Sequence, residues 1–305
     1  MQIVKYRKIF FGITIALVVT AVASIMHFGL VMGIDFTGGT LLEVTYASGV
    51  RADKAVVEER LSALNLGKVS LRETEVDGAE GYILRTRDLS NREHSGVIRA
   101  LAIPGGSGVR EQRFNSIGPV IGQELRSKAI VAVFAVLFAI ILFIAFAFRK
   151  VSKQVSSWKY GFIAIIALAH DIIVPAGVYA GYASVTGAEI DILFVMAILA
   201  ILGYSVNDTI VIFDRVRENL IYNQEHNKRE EFRDVVGQSL SQTYARSINT
   251  SLTTLAVLLA LFFMGGSATT SFAFLLTAGV IAGTYSSLFL AAPLLVALGG
   301  KKDNH

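Results

Sequence analysis

Long apolar runs dominate the pattern of the chain. Six of these runs are near 20 residues, the length that an α-helix needs to cross about 30 Å of hydrocarbon. They cover Ile9–Met32, Ala129–Phe148, Tyr160–Tyr182, Ile192–Phe213, Ser247–Met264 and Phe272–Leu298. The pattern predicts six transmembrane helices, called spans one to six below.

One extended polar stretch separates spans one and two, from Gly33 to Arg126. Within it, alternating and helix-spaced segments follow one another in the order strand, helix, strand, strand, helix, strand. They are Thr40–Ala47, Ala52–Leu64, Lys68–Val76, Gly81–Arg87, Asn91–Ala102 and Val109–Ile117. This order predicts a small α+β domain with the ferredoxin-like βαββαβ fold. We therefore divide the chain into 1–32 (an N-terminal segment and span one), 33–126 (the α+β domain) and 127–305 (spans two to six).

Glycine-rich segments flank the predicted domain. Glycine allows the positive φ angles and abrupt turns that other residues disfavour, so we predict a hinge at each end. The residues of these hinge motifs are Gly33, Asp35, Gly38, Gly39, Gly118 and Pro119. The first segment lacks the Lys-Ser/Thr pair of a phosphate-binding loop, which argues against nucleotide binding there.

Composition agrees with a membrane protein. Of the 305 residues, 53% are hydrophobic and only 17% are charged, which excludes an ordinary soluble domain. The absence of cysteine excludes a disulfide scaffold. The net charge of +4 raises the possibility of nucleic-acid binding, but in a membrane chain Lys and Arg first set the topology, so we expect no nucleic-acid partner.

Basic residues cluster at every second connection between spans. They precede span one and follow spans two, four and six: Lys5, Arg7, Lys8, Arg149, Lys150, Lys153, Lys159, Arg215, Arg217, Lys228, Arg229, Arg233, Lys301 and Lys302. The positive-inside rule therefore predicts cytoplasmic termini and an α+β domain on the outer side. The small residues Ala21–Ser24 also resemble a signal-peptide cleavage site, but the apolar run continues to Met32, which favours a retained helix.

Two local features add to the prediction of six transmembrane helices. Pro175 lies inside span three, where proline predicts a kink beside Asp171. The charged segment Arg215–Arg233 after span four predicts a solvated helix at the level of the lipid headgroups.

Ionisable side chains inside the spans are few, and each is costly in lipid. The polar candidates are His170 and Asp171 on span three, Asn207, Asp208, Asp214 and Arg215 on span four, and Arg246 and Thr250 on span five. A rise of 1.5 Å per residue places Asp208 and Arg246 about 24 and 27 Å from the outer ends of their spans, so the two could meet. Asp171 lies at about 17 Å by the same count.

Two interpretations of Asp208 and Arg246 remain open from spacing. They form either a static ion pair that ties two helices together, or a proton relay in which movement of the arginine changes the proton affinity of the carboxylate. For His170 the simpler interpretation is a structural hydrogen bond, and for Asp214 and Arg215 it is a solvated or topological role. Neither a catalytic residue nor a metal site is expected.

Several motifs together resemble the SecF family of bacterial protein-export membrane proteins. The longest is Gly203–Glu218 in span four, which matches the fourth-span motif of that family. The others, in chain order, are Gly33–Thr40, Ser116–Pro119, Ala169–Asp171, Arg246–Ser251 and Gly283–Ser287. The resemblance covers essentially the whole chain. The related SecD motif has its acid where this chain has Asn207, which favours the SecF type.

The resemblance implies a function. SecF-type subunits act with SecD, and the pair resembles a split transporter of the resistance-nodulation-division superfamily in the inner membrane. They associate with the SecYEG channel, with YajC as a further partner, and use the proton-motive force to promote late translocation or release of unfolded polypeptide on the periplasmic side. Carried onto this chain, Asp208 is the proton-binding carboxylate and Arg246 is its basic partner. The resemblance implies no enzyme activity and no cofactor other than protons.

Three other classes of function share some of these sequence features. An intramembrane aspartyl protease would use two carboxylates such as Asp171 and Asp208, but its Gly-x-Gly-Asp motif is absent. A proton-coupled half-transporter of small molecules or lipids shares the architecture. A non-titrating assembly subunit of the export machinery would need no proton site at all.

Overall fold

The computed structural model describes residues 2–47, 51–76, 78–102, 108–148, 157–228 and 230–299. These residues form two compact units, one of Met32–Ile130 and one of Met1–Val31 with Val131–His305. The first contains the α+β domain, which was predicted over 33–126, and the second contains the helix bundle. Six basic residues used for the topology prediction lie outside the described residues: Arg149, Lys150, Lys153, Arg229, Lys301 and Lys302.

Six helices of the described chain are long and apolar enough to cross a membrane, as predicted. Spans one to five are α2 (Arg7–Phe28), α6 (Pro119–Ala147), α7 (Ser157–Thr186), α8 (Ile192–Glu225) and α9 (Phe232–Met264). Span six is composite and consists of α10 (Ser267–Tyr285), a π-helical segment (Ser286–Ala291) and α11 (Ala292–Gly299). Two single-turn helices, α1 (Gln2–Lys5) and α3 (Ile34–Thr37), lie at either end of span one.

Spans four and five extend well beyond their apolar runs. The expectation of one separate surface helix over Arg215–Arg233 was wrong, because α8 continues to Glu225 and α9 already begins at Phe232. No glycine or proline lies between Phe213 and Glu225, so nothing in the sequence interrupts the helix there. Hydropathy marks where a helix leaves lipid, and helical hydrogen bonding continues past that point.

Span three passes Pro175 as a single helix. The predicted kink therefore does not break the helix. Because proline has no N–H, the carbonyl of Asp171, four residues earlier, lacks its usual helical donor. The missing backbone hydrogen bond therefore lies at Asp171, a candidate site residue.

The α+β domain has the predicted βαββαβ order. Its elements are β1 (Gly39–Tyr46), α4 (Lys54–Ser62), β2 (Ser70–Val76), β3 (Ala79–Thr86), α5 (Asn91–Leu101) and β4 (Val109–Ile117). The strands form one antiparallel sheet in the order β2-β3-β1-β4, the ferredoxin-like arrangement. Capping fixes the helix starts, since Asp53 accepts a hydrogen bond at the beginning of α4 and Ser90 and Glu93 form a capping box at α5.

Apolar residues at alternating strand positions form one face of the sheet, and this face is buried against α4 and α5. Leu42, Val44, Tyr82 and Leu84 point into this core and meet Val97 of α5. All five are 1% exposed or less, so the domain has a core of its own.

Small residues allow close helix contacts in the bundle. A Cβ added at Gly177 of span three would overlap the backbone of Ala21 in span one, and Ser24 Oγ donates to the Gly177 carbonyl at 2.7 Å. A Cβ at Gly283 of span six would lie 3.0 Å from Ser205 Cβ in span four. Glycine at these positions therefore brings span six against the polar face of span four.

Candidate functional site

Asp208 lies on span four and is partly buried. Its Oδ1 accepts a hydrogen bond from Ser247 Oγ of span five at 2.5 Å. Its Oδ2 is buried and has no hydrogen-bond partner among the described residues. A carboxylate at this depth, with one oxygen satisfied and the other not, has an incomplete set of partners within this chain.

Arg246 immediately precedes Ser247 on span five but does not form the ion pair that was considered. Among the described residues it forms no ion pair with Asp208, and its side chain is exposed. Ser247 takes the position next to the carboxylate instead. The static ion pair is therefore not formed in this structure, and the proton relay remains a prediction.

A row of hydroxyl groups joins span four to spans five and six around Asp208. Tyr204 donates to Ser251 Oγ at 3.1 Å, and Ser251 Oγ lies 2.6 Å from Thr284 Oγ1. One turn away, the hydroxyls of Thr209 and Ser287 are 2.8 Å apart. Sequence analysis missed the serines, although Ser247 and Ser251 share one helical face through their spacing of four.

Asp171 forms a second polar cluster with different partners. It accepts hydrogen bonds from His170 Nδ1 at 2.8 Å, from Ser286 Oγ at 2.7 Å and from Ser205 Oγ. The ring of His170 stacks on Tyr285 with centroids 5.8 Å apart. Asp171 and Asp208 are thus held by separate sets of hydroxyl groups, which gives no support to a two-carboxylate protease site.

The remaining predicted polar residues lie outside these clusters. Asn207 is exposed, and the Thr250 hydroxyl donates to the carbonyl of Arg246 within its own helix at 2.9 Å. Asp214 pairs with Arg217 at 3.0 Å, and Arg215 pairs with Glu218 at 2.8 Å, each three residues along α8. The first pair is half-buried and the second is exposed, and both follow the helix surface, where ion pairs contribute little to stability.

The predicted hinge motifs meet each other inside the unit Met32–Ile130. Gly33 caps α3, whose first turn contains Asp35, and Gly38 and Gly39 end the turn with φ of 73° and 123°. A Cβ added at Gly38 would lie 2.7 Å from Pro119 Cα, and one added at Gly122 would lie 2.7 Å from Gly38 N. Gly118 accepts a hydrogen bond from Gly122 N at 3.1 Å. The two motifs therefore form a close backbone junction, and a hinge movement there stays a prediction.

These features define a class, a multi-pass α-helical membrane protein with an α+β domain and carboxylates inside its bundle. The chain matches the family described as Protein export membrane protein SecD/SecF, C-terminal, over residues 104–301, and the SecD/SecF GG Motif over residues 23–50. The chain belongs to the SecD/SecF family.

Similar proteins cover nearly the whole chain. A Protein translocase subunit SecF of Thermobaculum terrenum is 36% identical, over 98% of this chain and 94% of that protein. One from Vibrio alginolyticus is 33% identical, over 98% of this chain and 90% of that protein. The crystal structure of SecDF from Thermus thermophilus, a translocon-associated membrane protein, superposes with a TM-score of 0.77 at 30% identity over 97% of this chain. This chain spans 38% of that longer SecDF chain.

Proposed function

We propose that the chain is an auxiliary subunit of a bacterial Sec protein-export machinery. Together with a SecD-type subunit, it uses the proton-motive force to promote late translocation and release of polypeptides on the outer side of the membrane. The relatives named as translocase subunits support this role, as does the SecDF chain, in which a corresponding fold forms part of a longer protein. The role involves no catalysis, and protons are the coupling ion.

Asp208 is the observation that carries the proposal. Its buried Oδ2 has no partner among the described residues, and the exposed Arg246 lies beside the serine that binds Oδ1. Burial in lipid favours a neutral carboxyl group, whereas an approaching guanidinium favours the ionised form. Consecutive residues of a helix point about 100° apart. A rotation of span five about its own axis would therefore replace Ser247 by Arg246 at the carboxylate and change the proton affinity of Asp208.

Exposed side chains on span two support a partner within the membrane. Span two exposes large side chains such as Phe134, Phe138 and Phe146, which face lipid or another membrane subunit. We assign SecD as the direct partner, with SecYEG, YajC and the unfolded polypeptide as further contacts. In this arrangement both termini are cytoplasmic and the α+β domain is periplasmic, in the inner membrane.

The test is export of a secretory precursor into membrane vesicles that contain Asp208→Asn, with the proton gradient imposed or collapsed. We expect the variant to assemble with SecD and to lose the gradient-dependent part of export, while the ATP-driven part remains. Asp214→Asn is the matched control, because this half-buried carboxylate lies on the same helix and pairs with Arg217. Full gradient dependence in Asp208→Asn would refute the relay and favour a non-titrating assembly subunit.

A further inference from the structure

The second polar cluster, around His170 and Asp171, is buried more deeply than Asp208. The exposed fractions of the two residues are 3% and 0%. Asp171 accepts from three donors, on spans three, four and six: His170 Nδ1, Ser205 Oγ and Ser286 Oγ. With Nδ1 and both hydroxyls donating, all three contacts suit an ionised carboxylate, which accepts hydrogen bonds and donates none.

A nearby positive charge stabilises a buried carboxylate, and one of the described neighbours of Asp171 can supply it. Span four contributes the Ser205 hydroxyl, and span six contributes Ser286 and the phenol of Tyr285. Span one reaches the cluster through the Tyr285 hydroxyl, which donates to the Phe10 carbonyl at 3.0 Å and lies 3.3 Å from Thr14 Oγ1. Among these described groups, His170 alone can become a cation near neutral pH.

His170 has an atom available for the proton. With Nδ1 donating to Asp171, the second ring nitrogen, Nε2, carries either a lone pair or a hydrogen. Nε2 is buried and has no hydrogen-bond partner among the described residues. A proton can therefore bind at Nε2 without breaking the bond from Nδ1 to the carboxylate, and it changes the pair from a net charge of −1 to a neutral imidazolium–carboxylate pair.

We infer that His170 and Asp171 form a second proton-binding site of the bundle, separate from Asp208, in which Nε2 of His170 takes up and releases the proton. The π-helical segment Ser286–Ala291 contacts both carboxylate regions, since Ser286 donates to Asp171 and Ser287 pairs with Thr209, the residue after Asp208. Such segments are rare and frequent at functional sites. A change of charge at His170 thus acts on the same turn of span six that contacts span four.

The test measures protonation of His170 in the purified full chain in lipid nanodiscs, without any export assay, so it does not depend on the proposed function. The histidine rings are labelled with ¹⁵N and observed by nuclear magnetic resonance from pH 5 to 9. The chain has five histidines, and the His170 signals are assigned by their loss in His170→Gln. We expect His170 to change protonation state within this range.

Two variants and one control connect the titration to the proposed pair. In Asp171→Asn the counter-charge is lost, and we expect His170 to bind its proton at least tenfold more weakly. Asp214→Asn is the matched control and should leave the His170 midpoint within about twofold, because Asp214 lies on span four but pairs with Arg217 and not with this cluster. Ser286→Ala keeps both ionisable groups and is the replacement test if Asp171→Asn does not fold. We expect it to weaken proton binding at His170 by less than tenfold. A single protonation state of His170 from pH 5 to 9, or midpoints that these cluster variants leave unmoved, would overturn the inference.

Discussion

Replacing Gly38 by alanine tests whether the two glycine motifs form the close junction described above. Gly38 has φ of 73°, and an added Cβ would lie 2.7 Å from Pro119 Cα and 3.0 Å from Pro119 N. With ψ of 166°, this backbone conformation is essentially restricted to glycine and costs an L residue about 1–3 kcal/mol. Forcing a methyl group against backbone adds about 1–3 kcal/mol. The total destabilisation expected for Gly38→Ala is therefore about 2–6 kcal/mol.

Gly67 offers a matched control within the same unit. Its φ is also 73°, but no atom lies within 4 Å of an added Cβ. Gly67→Ala should therefore show the backbone cost alone, about 1–2 kcal/mol. The difference between the two variants reports the contact between Gly38 and Pro119 together with the stricter backbone of Gly38.

Hydrogen exchange of the full chain in detergent measures both variants, because it reports local opening of the α+β domain without unfolding the bundle. The readout is the exchange rate of the central strands β1 and β3. With a tenfold change for each 1.4 kcal/mol, we expect exchange to rise about 5- to 30-fold in Gly67→Ala and about 30- to 20,000-fold in Gly38→Ala. Equal increases in the two variants would show that Pro119 does not restrict Gly38, and the junction would be refuted.

Two further predictions concern pH and topology. Burial, with nearby Tyr82, raises the pKa of Tyr46 from 10.0 to about 12. The contribution of Tyr46 to domain stability is therefore complete below pH 10 and is lost as pH rises to about 12. Tyr46→Phe should remove this part of the alkaline loss of stability in exchange experiments, and an unchanged pH profile would contradict the prediction. Because the chain has no cysteine, a membrane-impermeant maleimide should label Gln224→Cys and Gly266→Cys from opposite sides, and labelling from one side would contradict the topology.

Hydropathy was sufficient to predict the architecture because it follows from local patterns. Six apolar runs and one alternating polar stretch specify the spans and the βαββαβ domain. The lengths of α8 and α9 were missed, since the helix of span four continues to Glu225 long after its apolar run ends at Phe213. Helix ends depend on local breakers and caps, whereas hydropathy reports the surrounding solvent.

The partners of the carboxylates could not be predicted in the same way. Serine is nearly neutral in a hydropathy profile, and in a span it often bonds to its own helix, as Ser251 does to the Ser247 carbonyl at 2.9 Å. Which serine also reaches another helix depends on packing. The π-helical segment that turns Ser286 towards Asp171 and Ser287 towards Thr209 has no signal in the local sequence that we recognise.

The two carboxylates differ in the number of donors that the described bundle gives them, and this difference assigns them different parts in the two proposals. Asp171 has three donors, one of which is His170, so we infer that its charge is held in place and that the proton is exchanged at His170. Asp208 has one donor and an arginine one residue from that donor, so its own proton affinity depends on the position of span five. Under these proposals, movement of span five changes the proton affinity of Asp208, whereas the charge at His170 acts on the turn of span six that contacts span four. If both proposals hold, Asp171→Asn should alter the pH dependence of export without abolishing it, whereas Asp208→Asn should abolish the gradient-dependent part at every pH.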